Sequence, residues 1–193
     1  MHRDIVIEKY GAASTLKLRE IAPRVPGDDE VSIDVAFSGV NFADIQMRLG
    51  FYPDAPKKPF VPGYEVSGKV AAIGKNVRDV KIGDAVVAGT YFGGYASSVT
   101  IPAHQVFKLP ASVDLAGGAA LPVAYFTAQL AVFEMARVRR GDRVLIEPAT
   151  GGVGVLAIQM AKHAGAEVIG LTTSPHKKGF IEELGAKAYT VDE

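Results

Sequence analysis

Gly151, Gly152 and Gly154 are the residues whose type and spacing most clearly point to chemistry. They follow the run Arg143-Val144-Leu145-Ile146-Glu147-Pro148 and precede Val155-Leu156-Ala157-Ile158-Gln159-Met160-Ala161-Lys162. An apolar stretch of strand type thus meets a glycine-rich turn and continues with helical spacing. At such a junction, main-chain N–H groups from Gly151 through Val153 to Gly154 can approach an anion without obstruction by side chains. The positive end of the helix dipole favours the same negative charge. The group that suits this arrangement is a pyrophosphate, so the turn is read as one half of a dinucleotide site. A glycine loop alone is weak support, because an ordinary strand-to-helix turn has the same composition; the strand–helix–strand frame around it favours the ligand.

The second strand of that frame ends in Leu171-Thr172-Thr173-Ser174, followed by Lys177 and Lys178. A site for NAD places Asp or Glu about 20 residues past the glycines to bind ribose hydroxyls. No acid stands here. Hydroxyls at Thr172 and Ser174 with an ammonium from Lys177 or Lys178 suit a 2′-phosphate through charge-assisted hydrogen bonds, so NADPH is the expected cofactor. A solvated helix face is the other reading of both lysines. The chain has no cysteine, and His2, His104, His163 and His176 lack ligand spacing, so no metal site is expected.

Residues 1 to about 110 read as short strands separated by turns, the pattern of a β-barrel or sandwich. Glu30-Val31-Ser32-Ile33-Asp34-Val35-Ala36-Phe37 alternates with period two. A short helix is expected over 41–49, a loop over 51–60, and strands over 64–74, 85–88 and 95–101. Helix formers take over at 116–121 and 124–135, with a break at Pro122. The period then becomes strand 143–147, helix 152–164, strand 167–171, helix 175–184 and strand 188–191, which specifies a parallel sheet with right-handed crossovers. The expected domains are 1–120, a barrel, and 121–193, a nucleotide-binding half.

Lys+Arg and Asp+Glu both number 21, and no basic stripe appears, so nucleic acid is not an expected partner. The N-terminus lacks an apolar signal core. The uncharged stretch from Ala116 to Phe133 imitates a membrane span, but Pro122 and its polar residues indicate two buried helices. No membrane segment is expected, and the absence of cysteine fits a cytoplasmic protein.

Five stretches in order, Ser38-Gly39-Val40-Asn41-Phe42-Ala43-Asp44, Pro62-Gly63-Tyr64-Glu65-Val66-Ser67-Gly68, Val80-Lys81-Ile82-Gly83-Asp84, Thr127-Ala128 and Gly151-Gly152-Val153-Gly154, resemble the medium-chain dehydrogenase/reductase superfamily in its zinc-free, quinone oxidoreductase-like branch. The resemblance spans the chain. It implies a GroES-like β-barrel domain followed by a Rossmann domain, an α/β plus β fold, and hydride transfer from NADPH to a quinone, an enone or a related electrophile. Relatives are often homo-oligomers. They also run on beyond this length with further Rossmann strands, so the chain is expected to be a C-terminally truncated reductase or fragment with a partial parallel sheet. A rival expectation follows: a non-catalytic or weakly nucleotide-binding fragment that acts through self-association or complementation.

The resemblance also assigns residues. Zinc-dependent relatives carry Cys at the position of Asn41 and His at that of Tyr64; a carboxamide and a phenol do not build a tetrahedral zinc site. Asn41 is implied to contact the nicotinamide ribose or the substrate carbonyl, and capping of the following helix is its alternative. Tyr52 matches a tyrosine proposed as proton donor in related polyketide enoyl reductases, with packing in a loop as its alternative and Tyr64 and Tyr125 as competitors. Thr127 is implied to approach the nicotinamide, otherwise it is a helix-interior threonine, and by family position Ser174 and Lys177 are implied to meet the 2′-phosphate. Asp44 and Glu65 are read as holding loops together. One departure stands out: Pro148 occupies a place where the family commonly has Gly or Ala, and it offers no N–H, which predicts weaker pyrophosphate contact.

Overall fold

A computed structural model describes residues 1–193. They divide into two compact units, Met1–Val123 and Ala124–Glu193.

In the first unit, β1 (His2–Ile7) and β2 (Leu16–Ile21) form an antiparallel hairpin. Then come β3 (Glu30–Ser38), α1 (Phe42–Leu49), β4 (Glu65–Ile73), β5 (Ala85–Gly89), β6 (Ser98–Pro102) and β7 (Val106–Lys108). These strands make one antiparallel sheet in the order β6-β3-β4-β5-β7. Bridges from Asp4 to Ala96 and from Ile7 to Phe60 tie β1 to this unit, giving the curled, barrel-like arrangement expected of a GroES-like domain. Alternation places Val31, Ile33, Val66, Val70, Val86 and Ala88 in one core. A smaller core of Ile7, Met47 and Phe60 seats α1 and has Tyr52 and Tyr64 packed against it. The short helix α2 (Leu115–Ala119) follows, capped by the Asp114 carboxylate accepting from Gly117 N–H at 2.6 Å. Next is α3 (Pro122–Gln129), in which the break between the units falls.

In the second unit, β8 (Arg143–Ile146), β9 (Glu167–Thr172) and β10 (Lys187–Thr190) form a parallel sheet in the order β10-β9-β8. The crossovers are α4 (Gly152–His163) and α5 (Lys178–Glu183). The buried face of α4 is Gly154, Ala157, Ile158 and Ala161, a 3-1-3 spacing that lays one helical stripe against Val168 and Ile181. Small residues there let the helix lie close to the sheet. The fold is thus the α/β plus β architecture anticipated from the sequence, with three parallel strands in the nucleotide-type sheet.

Several boundaries differ from expectation, for identifiable reasons. Pro122 does not simply interrupt a helical stretch: it opens α3, where its missing N–H has no intrahelical role. The stretch expected as one helix over 124–135 changes to π-helix over Leu130–Met135. Tyr95 stays outside β6 because its N–H donates to Pro62 carbonyl and its carbonyl accepts from Ile5 N–H, at 2.9 and 2.8 Å. The helix expected from 175 begins as a 3-10 turn, Pro175–Lys177. No helix is long and apolar enough to cross a membrane.

Candidate functional site

The glycine turn lies where β8 ends and α4 begins. Ala149 N–H donates to Leu171 carbonyl at 2.9 Å, which fixes the loop beside the end of β9. Gly151 is the N-cap and offers no side chain to the first turn. The N–H groups of Gly152, Val153 and Gly154 are too early in the helix for intrahelical partners, and no other protein group accepts from them. They form a row of donors, Gly152 and Val153 exposed and Gly154 buried, at the carboxyl ends of parallel strands, where nucleotides bind in sheets of this type.

The three glycines differ in what the fold requires of them. A Cβ on Gly154 would stand 2.1 Å from the Pro148 carbonyl oxygen and 3.0 Å from the Ala149 carbonyl group. Packing of helix on strand exit therefore demands glycine there. A Cβ on Gly151 would come no closer than 3.7 Å to Pro148, and one on Gly152 no closer than 3.9 Å to Ala124. Nothing inside the chain needs these two to be glycine. The surface they leave bare faces the open N–H row, which is the fit expected of a cradle for a pyrophosphate. Pro148 is exposed beside this turn, and its ring is the Gly151 neighbour.

The structure brings Thr172, Ser174 and Lys177 to one place at the end of β9. Thr172 is buried, and its hydroxyl oxygen accepts from Ser174 N–H at 3.1 Å. Lys177 N–H donates to the Ser174 carbonyl at 2.9 Å, closing the 3-10 turn. The two lysines, of which the family resemblance favours Lys177, separate here. Lys178 is engaged by Glu193 at 2.7 Å, whereas Lys177 is exposed and makes no ion pair. Thr127 is exposed on α3, three residues beyond Ala124, the residue nearest Gly152. Positions three apart share a helix face, so Thr127 lies on the side of α3 that meets the glycine turn.

In the first unit, Asn41 is the N-cap of α1. Its main-chain N–H donates to Asp44 Oδ2 at 2.8 Å, and Asp44 N–H donates back to the Asn41 carbonyl at 3.0 Å. The carboxamide oxygen faces the Asp44 N–H in the same capping box, and Asn41 Nδ2 donates to Glu65 Oε1 at 2.7 Å. The other oxygen, Glu65 Oε2, accepts from Val123 N–H at 2.8 Å. Asp44 also accepts from Gly63 N–H at 3.1 Å and from the Tyr95 hydroxyl at 3.2 Å. Asp44 and Glu65 are 4% and 2% exposed, and every partner they have is a neutral donor. Burial pushes both carboxyls above their ordinary range, and their N–H and O–H donors pull back against it.

Tyr52 is half-buried, with its ring centroid 6.2 Å from that of Tyr64 in an edge-on contact. Tyr64 also meets Tyr91 and Phe92, at 6.5 and 5.3 Å. Burial first, and a hydrogen bond with Tyr52 second, raise the Tyr64 pKa well above that of a free phenol. Tyr125 is an exposed residue of α3. No group of three or more His, Cys, Asp or Glu side chains is arranged to hold a metal ion. Glu65's hold on Asn41 was not foreseen from the sequence. Gly39 leaves room for it, since a Cβ there would fall 2.1 Å from Glu65 Oε1.

Comparison with known proteins agrees with this architecture. Residues 27–111 match the family described as alcohol dehydrogenase GroES-like domain, and residues 152–193 match that described as zinc-binding dehydrogenase. Quinone oxidoreductase of Homo sapiens is 37% identical over 186 residues, covering 95% of this chain and 56% of that protein. The crystal structure of the human synaptic vesicle membrane protein VAT-1 homolog-like protein superposes with a TM-score of 0.93 at 33% identity, over 100% of this chain and 62% of that one. The structure of Escherichia coli quinone oxidoreductase complexed with NADPH gives 0.92 at 30% identity, over 99% and 59%. The chain therefore spans somewhat more than half the length of these relatives. With both fold units and the ordered motifs in place, the chain belongs to the medium-chain dehydrogenase/reductase superfamily, among its quinone oxidoreductase-like members.

Proposed function

We propose that this chain binds NADPH and provides the barrel and nucleotide half-site of a zinc-independent oxidoreductase that reduces quinones or α,β-unsaturated carbonyls. The observation that carries the reading is the bare turn at Gly151 and Gly152, open beyond what packing demands and lined by unpaired N–H groups. That the Escherichia coli relative is described in complex with NADPH supports it.

A bound nicotinamide supplies the hydride. The chain's own residues do the rest. Main-chain N–H groups from Gly152 to Gly154 hold the pyrophosphate, and Ser174 and Lys177 meet the 2′-phosphate, with Thr172 shaping their turn. Thr127 and Asn41 orient the nicotinamide half, and the Tyr52 phenol holds a proton for the reduced electrophile. No metal ion takes part, since Asn41 and Tyr64 replace the thiolate and imidazole a zinc site needs. Calorimetry with NADPH and NADH, with NADPH absorbance followed against a panel of quinones and enones, tests the proposal. The expected result is NADPH binding and consumption; absence of both rejects it.

A second reading has an observation of its own. Strands β8 and β10 are sheet edges, and Leu145 on β8 is exposed. Such edges pair readily with another chain. Light scattering that gives a mass above one chain, without nucleotide binding, would favour association over catalysis.

A further inference from the structure

The free edge of β8 is complementary to itself. Glu167 N–H donates to the Asp142 carbonyl at 2.8 Å, so the main-chain groups of Asp142, and by alternation those of Val144 and Ile146, face β9. Those of Arg143 and Leu145, and of Glu147 just past the strand, therefore face the edge that no strand covers. The side chains alternate as well. Val144 and Ile146 pack against the core of the second unit, while Arg143, Leu145 and Glu147 are exposed on the opposite face. Arg143 Nε holds Glu167 at 3.0 Å and leaves both Nη groups without a partner. The Glu147 carboxylate has none either.

We propose that β8 pairs antiparallel with β8 of a second copy about a two-fold axis at Leu145, joining two three-stranded sheets into one. Pairing centred there sets Arg143 opposite Glu147 of the second copy, Val144 opposite Ile146, and Leu145 opposite Leu145. Arg143, Leu145 and Glu147 then fall at hydrogen-bonded positions, because theirs are the main-chain groups that face outward. Opposite charges and apolar side chains directly across from one another stabilise such a ladder. A centre at Val144 or at Ile146 loses the match, since Leu145 then stands opposite Arg143 or Glu147. The other edge, β10, has no equivalent: pairing about Tyr189 sets Lys187 opposite Val191. The charge pattern of β8 thus fits another β8, with the same patch on both sides. This inference rests on the association reading, which it deepens by naming the strand and the register, and it is independent of nucleotide binding.

The test uses the full chain. It has no cysteine, so Leu145→Cys places the only two thiols of a dimer on the proposed axis. Hydrogen-bonded antiparallel pairs have Cα atoms about 5.5 Å apart, within reach of a disulfide. The expected results are a light-scattering mass of two chains for the wild type and a covalent dimer of Leu145→Cys under mild oxidation. Tyr189→Cys, on the far edge, is expected to stay uncrosslinked. Glu147→Arg sets cation against cation on both sides of the axis and is expected to raise the dimer Kd about tenfold. Arg143→Glu combined with Glu147→Arg is expected to recover most of that loss. A two-chain mass without the Leu145→Cys crosslink, with equal crosslinking of Tyr189→Cys, or with Glu147→Arg dimerising like the wild type overturns the β8 pairing and leaves association through another surface standing. A mass of one chain at every concentration overturns both. Should circular dichroism show that Glu147→Arg does not fold, the two cysteine variants decide.

Discussion

Replacement of Gly154 and of Gly152 by alanine should have opposite consequences. The Cβ of Gly154→Ala would lie 2.1 Å from a main-chain oxygen, Pro148 O, which cannot swing aside. Restoring even a tight contact of 3.0 Å requires the start of α4 to move about 0.9 Å from the strand exit (3.0 − 2.1). Overpacking of this kind costs about 1–3 kcal/mol, and rigid backbone places it at the upper end. Alanine returns up to about 1 kcal/mol in helix propensity. The net loss is about 2 kcal/mol, a fall of about 1 M or more in urea midpoint for a slope of about 1–2 kcal/mol/M. Gly152→Ala meets only an ordinary contact at 3.9 Å, so its stability should change by less than about 0.5 kcal/mol. Its methyl group, however, enters the row of donors, and the Kd for NADPH should rise about tenfold or more. Urea unfolding followed by circular dichroism, paired with calorimetry, reads both effects. A stable Gly154→Ala chain, or a Gly152→Ala chain that binds NADPH like the wild type, would refute the division of roles between these glycines.

Lys177→Ala should weaken NADPH binding about tenfold, the lower range for a charge-assisted contact at an exposed site, and leave NADH unchanged. Lys178→Ala should alter neither, because Lys178 is engaged by Glu193; calorimetry with both nucleotides checks the pair. The pKa of Glu65 is raised on folding, so over the window above its ordinary value the folded chain binds more protons than the unfolded one. Its contribution to stability therefore rises as pH falls from neutral, and the advantage of wild type over Glu65→Gln should widen toward acid pH in urea midpoints; narrowing would contradict this sign. Chelator treatment should leave NADPH consumption unchanged, and elemental analysis should find no stoichiometric zinc.

Period and composition were enough to read the strands of the first unit and the β8-α4-β9-α5-β10 alternation of the second, because both encode which face of an element is buried. Tyr95 shows where period fails: its apolar, strand-like surroundings suggest β6, yet its hydrogen bonds go to Pro62 and Ile5, partners distant in sequence. Lys177 and Lys178 illustrate the same limit at the site. Side by side in the sequence and alike in charge, they are separated in the structure by where the chain brings Glu193. Asn41 was legible as an N-cap and as a site candidate, and it is an N-cap. Its second tie could not be read, because Glu65 and Val123 are 24 and 82 residues away (65 − 41, 123 − 41). Local pattern reports the backbone's own needs; carboxylate partnerships across the unit depend on the finished fold.

The most direct test of the account is the ¹H–¹⁵N spectrum of the chain titrated with NADPH. The account predicts that the largest amide shifts fall on Gly152, Val153 and Gly154, with further shifts at Ser174 and Lys177. Saturating NADPH that leaves these amides unmoved would contradict it.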